Sequence, residues 1–193
     1  MSLKHLSYQK TKRFKQINAY NYMKKIAKRV LFVILIILSI LIIILILRRF
    51  NKTQLDDVSP FIQCDEDLLD KTNIYYVIPK FQGIPISENK SWCEYILSKN
   101  KTLRMHGIEH TYFEFWKKEI STEEINGAKE IFKECFGFYP EKFKAPQDTI
   151  SIKNSINLKK SDLNLDIYLN CIIHRVYHCN DTGKIKNKLA DKL

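Results

Sequence analysis

Between Val30 and Leu47 runs VLFVILIILSILIIILIL, eighteen residues without a charge, in which Ser39 is the one polar side chain. At about 1.5 Å per residue a helix of that length is roughly 27 Å long, close to the hydrocarbon thickness of a bilayer. A core helix of a soluble domain keeps a polar stripe, and this one is apolar all round. A cleaved signal peptide has a shorter apolar region that ends in small residues. Here Leu47 is followed by Arg48-Arg49. The segment 30–47 therefore reads as a retained transmembrane helix, a signal-anchor.

The charge around it fixes an orientation. The protein has 193 residues, 32 Lys+Arg against 21 Asp+Glu and a net charge of +11. Residues 1–49 hold eleven of those bases, from Lys4 to Arg49, and no acid. The rest is balanced, with 21 bases and 21 acids. A nucleic-acid-binding domain would need the excess on its folded part, so that partner class is excluded. Nine bases precede the apolar run, and by the positive-inside rule the tail 1–29 is cytosolic. The chain beyond the run is expected to be lumenal or extracellular, with the lipid bilayer as a partner.

All four N-x-S/T sequons, at Asn51, Asn89, Asn100 and Asn180, lie on that far side and are candidate glycosylation sites. So do all five cysteines (Cys64, Cys93, Cys135, Cys171 and Cys179). Outside the cytosol they allow up to two disulfides and leave one thiol over.

After a polar linker, 48–54, a domain of residues 55–193 alternates strand-like and helix-like runs. Asn73 to Ile78 is β-branched and aromatic and stops at Pro79. Ser87 to Ser98 has amphipathic helical spacing, and Thr102 to Met105 reads as a short strand ending at His106. The clearest helix is Ser121 to Phe136. Ser121 and Glu124 make a capping box, and Gly137 is the stop. Further strands are expected near Phe143 and at Tyr168 to Val176. The alternation predicts an α/β fold with a largely parallel sheet, whose functional residues gather at the carboxyl ends of strands.

Three features fall near such ends: Asp56-Asp57, His106-Gly107-Ile108-Glu109-His110, and Lys144-Ala145-Pro146-Gln147. An i, i+4 histidine pair puts two imidazoles on one face of a helical turn, close enough to share a divalent metal. Two histidines with a carboxylate leave coordination positions open, an arrangement suited to catalysis. Of two adjacent carboxylates, one can hold the metal while the other stays free as a base.

In this order, Leu55-Asp56-Asp57-Val58-Ser59-Pro60, then H-G-x-x-H after a strand, then a basic-x-Pro motif, the chain resembles the polysaccharide deacetylases. These are the NodB-homology superfamily, carbohydrate esterase family 4, and the resemblance is to a divergent branch. It runs from about Leu55 to Thr149. It implies a deformed (β/α) barrel, here short or incomplete because 55–193 is brief for one. It also implies one divalent metal, commonly zinc, held by Asp57, His106 and His110. Asp56 would be the base acting on a metal-bound water, and the reaction would be hydrolysis of the amide of an N-acetylated sugar in a glycan. Lys144 stands where the family usually has the Arg that orients the base. Gln147, after Pro146, stands where it usually has the Tyr whose backbone N–H binds the oxyanion. Lys cannot reproduce a bidentate Arg contact.

The family's last motif brings a histidine that protonates the leaving amine. His174 and His178 are both candidates, with His178 favoured, and in one strand their spacing would put both on the same face. The resulting expectation is a single-pass membrane protein with a metal-dependent, deacetylase-like hydrolase domain. The alternative is a catalytically degenerate membrane glycoprotein with a binding or structural role. Sugar, oligomeric state and disulfide pattern are open at this level.

Overall fold

The computed structural model describes residues 3–166, 170–181 and 185–192. The chain divides into two compact units, Met1–Leu45 and Ile46–Leu193. The first is helical over its described residues. Helix α1, Leu3–Phe50, takes in both the basic tail and the apolar run. Its stretch Tyr22–Phe50 is long and apolar enough to cross a membrane, with a mean hydropathy of 3.8 in its most apolar window.

The second unit carries a parallel sheet. Its strands are β1 (Gln54–Val58), β2 (Ile74–Val77), β5 (Thr102–His106), β6 (Lys142–Lys144), β7 (Asn164–Leu165) and β8 (Val176–His178). A separate hairpin holds β3 (Lys80–Phe81) and β4 (Ile84–Pro85). The sheet order is β7-β6-β5-β2-β1-β8, which is chain order wrapped round on itself. This is the order of a parallel barrel, left open between β7 and β8 among the described residues.

Curvature follows from side chains that meet across the sheet. Asp56 on β1 and Lys144 on β6 are three strand spacings apart, roughly 14 Å if the sheet were flat. Yet Lys144 Nζ lies 2.7 Å from Asp56 Oδ2. Likewise Tyr76 on β2 donates to Asp166, just past β7, at 2.6 Å. The sheet must therefore curl around its polar face.

Alternation separates the two faces. Leu55, Tyr75, Leu103 and Tyr177 are neighbours in the register, as are Val77, Met105 and Phe143. All are buried under the helices. These are α2 (Glu66–Lys71), α3 (Lys90–Ser98), α4 (Glu114–Lys117), α5 (Thr122–Phe136), α6 (Ile152–Lys160) and α8 (Ile185–Lys192). Leu69 of α2, Ile96 of α3 and Phe132 of α5 fill one cluster; Phe115 of α4, Ile125 of α5 and Leu158 of α6 fill the other. The opposite face presents Asp56, Tyr76, Arg104, His106, Lys144 and His178.

Helix α5 starts as its sequence predicts. Ser121 Oγ accepts from Glu124 N at 3.1 Å, Glu124 Oε2 accepts from Ser121 N at 2.9 Å, and Gly137 ends it at φ 82°. The strand expected at Tyr168 to Val176 is not formed as such. Residues 167–169 lie outside the described residues, Asn170–Ile173 is a short helix, α7, and the strand is Val176–His178. A brief apolar run such as Cys171-Ile172-Ile173 fits either period, and tertiary packing chooses. Two disulfides form, Cys64–Cys179 and Cys93–Cys135. The expected polar linker is shorter than 48–54, since α1 reaches Phe50 and β1 starts at Gln54.

Candidate metal centre

In a regular strand Asp56 and Asp57 would point to opposite faces. The register of β1 against β2 shifts between Leu55 and Val58, and Asp57 sits at φ 62°. That bulge, at a residue type that tolerates the left-handed region, turns both carboxylates to the inner face. His178 Nδ1 lies 3.3 Å from Asp57 Oδ2 and 3.9 Å from Asp56 Oδ2.

The histidine motif departs from the helical turn that its spacing predicts. His106 ends β5, and residues 107–110 form a loop. Gly107 at φ 63° starts that loop. A Cβ there would lie 2.6 Å from Pro146 Cγ and 2.7 Å from Glu114 Oε2, so only glycine fits. His110 itself has φ 59°. The loop returns His110 beside His106, with ring centroids 4.8 Å apart. Their Nε2 atoms stand 3.0 Å (His110) and 3.5 Å (His106) from Asp57 Oδ1.

One ligand atom from each of Asp57, His106 and His110 falls within 4.8 Å of the others. The hydrogen bonds around them fit a cation. His106 Nδ1 is 3.0 Å from the Lys144 carbonyl, which can only accept, so Nδ1 carries the proton. In the Nδ1–H tautomer Nε2 is the acceptor nitrogen, and it faces Asp57 Oδ1. That oxygen is buried and receives no hydrogen bond among the described residues. Lone pairs facing one another repel unless a positive charge lies between them, and this donor set suits a divalent metal such as zinc.

Asp56 stands beside the trio. Its side chain and that of Lys144 are each only 3% exposed. Burial alone would raise the Asp56 pKa, but Lys144, with His106 and His178, outweighs it and holds the carboxyl below its usual value. Burial also opposes ionisation of Asp57, and the imidazoles of His106, His110 and His178 around it hold it far below the usual range. Burial lowers His110, but Asp57 overrides that and raises it. Lys144 Nζ also lies 5.0 Å from the Tyr76 ring centroid. Tyr76 is fixed in turn by Asp166 and by Arg104 at 3.1 Å.

Asp56, Asp57, His106, His110 and Lys144 line a cavity of about 490 Å³, together with Gln147, Asp148 and Arg48. Pro146 is buried against Gly107. Gln147 lies at φ 54°, its side chain accepts from Phe113 N at 2.9 Å, and the residue lines the cavity. The two candidate acids part company. His178, at the end of β8, lines the cavity. His174 precedes the strand, and its Nδ1 donates to the Lys52 carbonyl at 2.9 Å, so the shared strand face expected for the pair does not exist.

Two supporting residues carry no motif of their own. Glu114 is buried, and its two oxygens accept from Ile108 N at 3.0 Å and Glu109 N at 2.9 Å, pinning the loop between the histidines. A single acid inside the aromatic run Tyr112 to Trp116 is the only trace that it leaves in the sequence. Asn187 of α8 brackets His178, accepting from its N–H at 3.0 Å and donating to its carbonyl at 2.9 Å. Of the sequon asparagines, Asn100 and Asn180 are exposed, Asn89 caps α3, and the Asn51 amide donates to the Ile173 carbonyl at 2.9 Å.

No family model matches the chain, and no curated protein matches it. Among solved structures it is similar to a family 4 carbohydrate esterase from Streptomyces lividans in complex with acetate. The identity is 13% and the TM-score 0.45, over 60% of this chain and 61% of that one. It is similar to the peptidoglycan deacetylase PdaC from Bacillus subtilis at 13% identity and a TM-score of 0.43, over 61% of this chain and 59% of that one. It is also similar to a family 4 pseudoenzyme from Bacillus anthracis at 10% identity and a TM-score of 0.44, over 62% of this chain and 49% of that one. The chain therefore spans about half to six-tenths of the length of these structures. The first and the third of these belong to carbohydrate esterase family 4.

Proposed function

We propose that the domain is a metal-dependent hydrolase that removes acetyl from an N-acetylated sugar, held at a membrane with its N-terminus cytosolic. One observation carries this reading. Asp57, His106 and His110 converge as a ligand set beside a second carboxylate, Asp56, that is kept ionised and faces the same cavity.

A divalent metal on that trio would polarise the acetamide carbonyl and stabilise the oxyanion. The residues supply the rest. Asp56 accepts the proton of the attacking water, and Lys144 holds it in its basic form. The backbone N–H of Gln147 supports the carbonyl oxygen. As the carbon–nitrogen bond breaks, His178 delivers a proton to the leaving amine, and the products are acetate and an amino sugar.

A second reading, a non-catalytic binding domain, draws on Lys144. One ammonium gives Asp56 a point contact where a guanidinium would give a fork. The full-length protein in detergent separates the two readings through its metal content and through acetate release from N-acetylated chitooligosaccharides. Stoichiometric zinc with acetate release supports the hydrolase, and zinc without turnover favours the binding domain. Unchanged zinc affinity in Asp57→Ala and His106→Ala removes the ligand assignment altogether.

A further inference from the structure

The wall of the cavity includes Arg48, the residue directly after the last apolar position of the span, Leu47. Ile46 and Leu47 belong to the same compact unit as the catalytic-type residues. The chain from there into β1 is not a loose tether. Asn51 Nδ2 donates to the Ile173 carbonyl at 2.9 Å, His174 donates to the Lys52 carbonyl at 2.9 Å, and Gln54 N donates to the Arg175 carbonyl at 2.9 Å. These bonds tie residues 51–54 to Ile173, His174 and Arg175, which lead into the strand that carries His178. Arg48, Arg49 and Lys52 make the same segment cationic, which suits phosphate groups at a bilayer surface.

The cavity wall thus includes a residue that directly follows the apolar run in the chain. We infer that the substrate is an N-acetylated sugar carried on a membrane lipid through a phosphodiester, rather than a glycan free in solution. This rests on the deacetylase reading and on the span at 30–47. His174, which does not face the cavity, acquires a use here as one of the residues that hold the segment in place. Confinement of both partners to one surface raises the effective concentration of the acetamide at the site, and a rigid segment preserves that gain.

The test uses the full chain in phosphatidylcholine vesicles, with acetate release measured on two probes. One is N-acetylglucosamine joined to a lipid by a phosphodiester in the same vesicles, and the other is soluble N-acetylchitooligosaccharide. A second protein carries a Gly/Ser insertion of about ten residues between Leu47 and Arg48, which adds roughly 17 Å of mean reach. The expected result is a preference of about tenfold or more for the lipid-linked probe. That preference should collapse on insertion while hydrolysis of the soluble probe persists, which also shows that the variant folds. Equal rates on the two probes, or a preference that survives insertion, overturns the inference and leaves the deacetylase reading standing. No acetate from either probe overturns both. A chain that fails to float with the vesicles overturns the membrane premise.

Discussion

The two faces of the parallel sheet were built by opposite rules. The outer face is a run of aliphatic and aromatic side chains under helices, where each contact is replaceable by another of similar shape. The inner face is a set of charges, Asp56 with Lys144 and Arg104 with Asp166, in which each group is held by a named partner. Adjacent residues of one strand, Phe143 and Lys144, belong to opposite worlds. The difference shows why a short, open sheet can keep a site: outer packing holds the strands, so inner positions are free to carry chemistry.

Variants can break that contrast. The largest effect is expected from Asp57→Ala, which removes the only carboxylate ligand of the trio. Zinc affinity measured by competition with a chelator should fall by at least about a hundredfold. Next come the neighbours on β6. Phe143→Ala should cost about 3–5 kcal/mol in urea unfolding and leave zinc affinity per folded molecule unchanged. Lys144→Ala should cost about as much, because it strands Asp56 as a buried, unpaired charge. It should also move the acid limb of any hydrolytic activity to higher pH. Equal effects of both substitutions on that pH profile would erase the distinction between the faces.

Glu114→Gln is a finer probe. It keeps the shape but gives up one of two acceptors for the loop N–H groups, so zinc affinity should fall about tenfold with little loss of stability. No change in affinity would make Glu114 a packing residue only. The smallest effect is acid sensitivity of the metal-free protein. Asp56 and Asp57 titrate below their ordinary values in the folded state, so their stabilisation is present above about pH 4 and is lost as pH falls through the folded values. Denaturation midpoints across pH 2–6 should therefore fall on acidification, and less steeply in Asp56→Asn.

Much of this organisation was legible before any coordinates. The capping box of Ser121 and Glu124, the strand stop at Pro79 and the short strand before His106 are local signals, decided by residues within a few positions of one another. The apolar run is local too, since eighteen uncharged residues by themselves make a helix long and apolar enough to cross a membrane. What failed were inferences that extended a local rule across space. The spacing of the histidine pair predicts a helical turn, whereas a loop opened by Gly107 delivers the same proximity. Asn170–Ile173 is a helix where a strand is expected, because the three-residue apolar run Cys171 to Ile173 has no decisive period and leaves the choice to packing.

Residue types and order thus determined a membrane-type span, an alternating α/β chain and the set of groups with metal and acid–base chemistry. Only the tertiary structure decided which of them meet. The bulge at Asp57 aims two neighbouring carboxylates at one cavity, and the curl of the sheet brings Lys144 across three strand spacings to Asp56. His178 lines the cavity while His174 bonds to the Lys52 carbonyl. Those outcomes depend on the closure of distant strands under a packed outer layer, and no window of sequence contains that information.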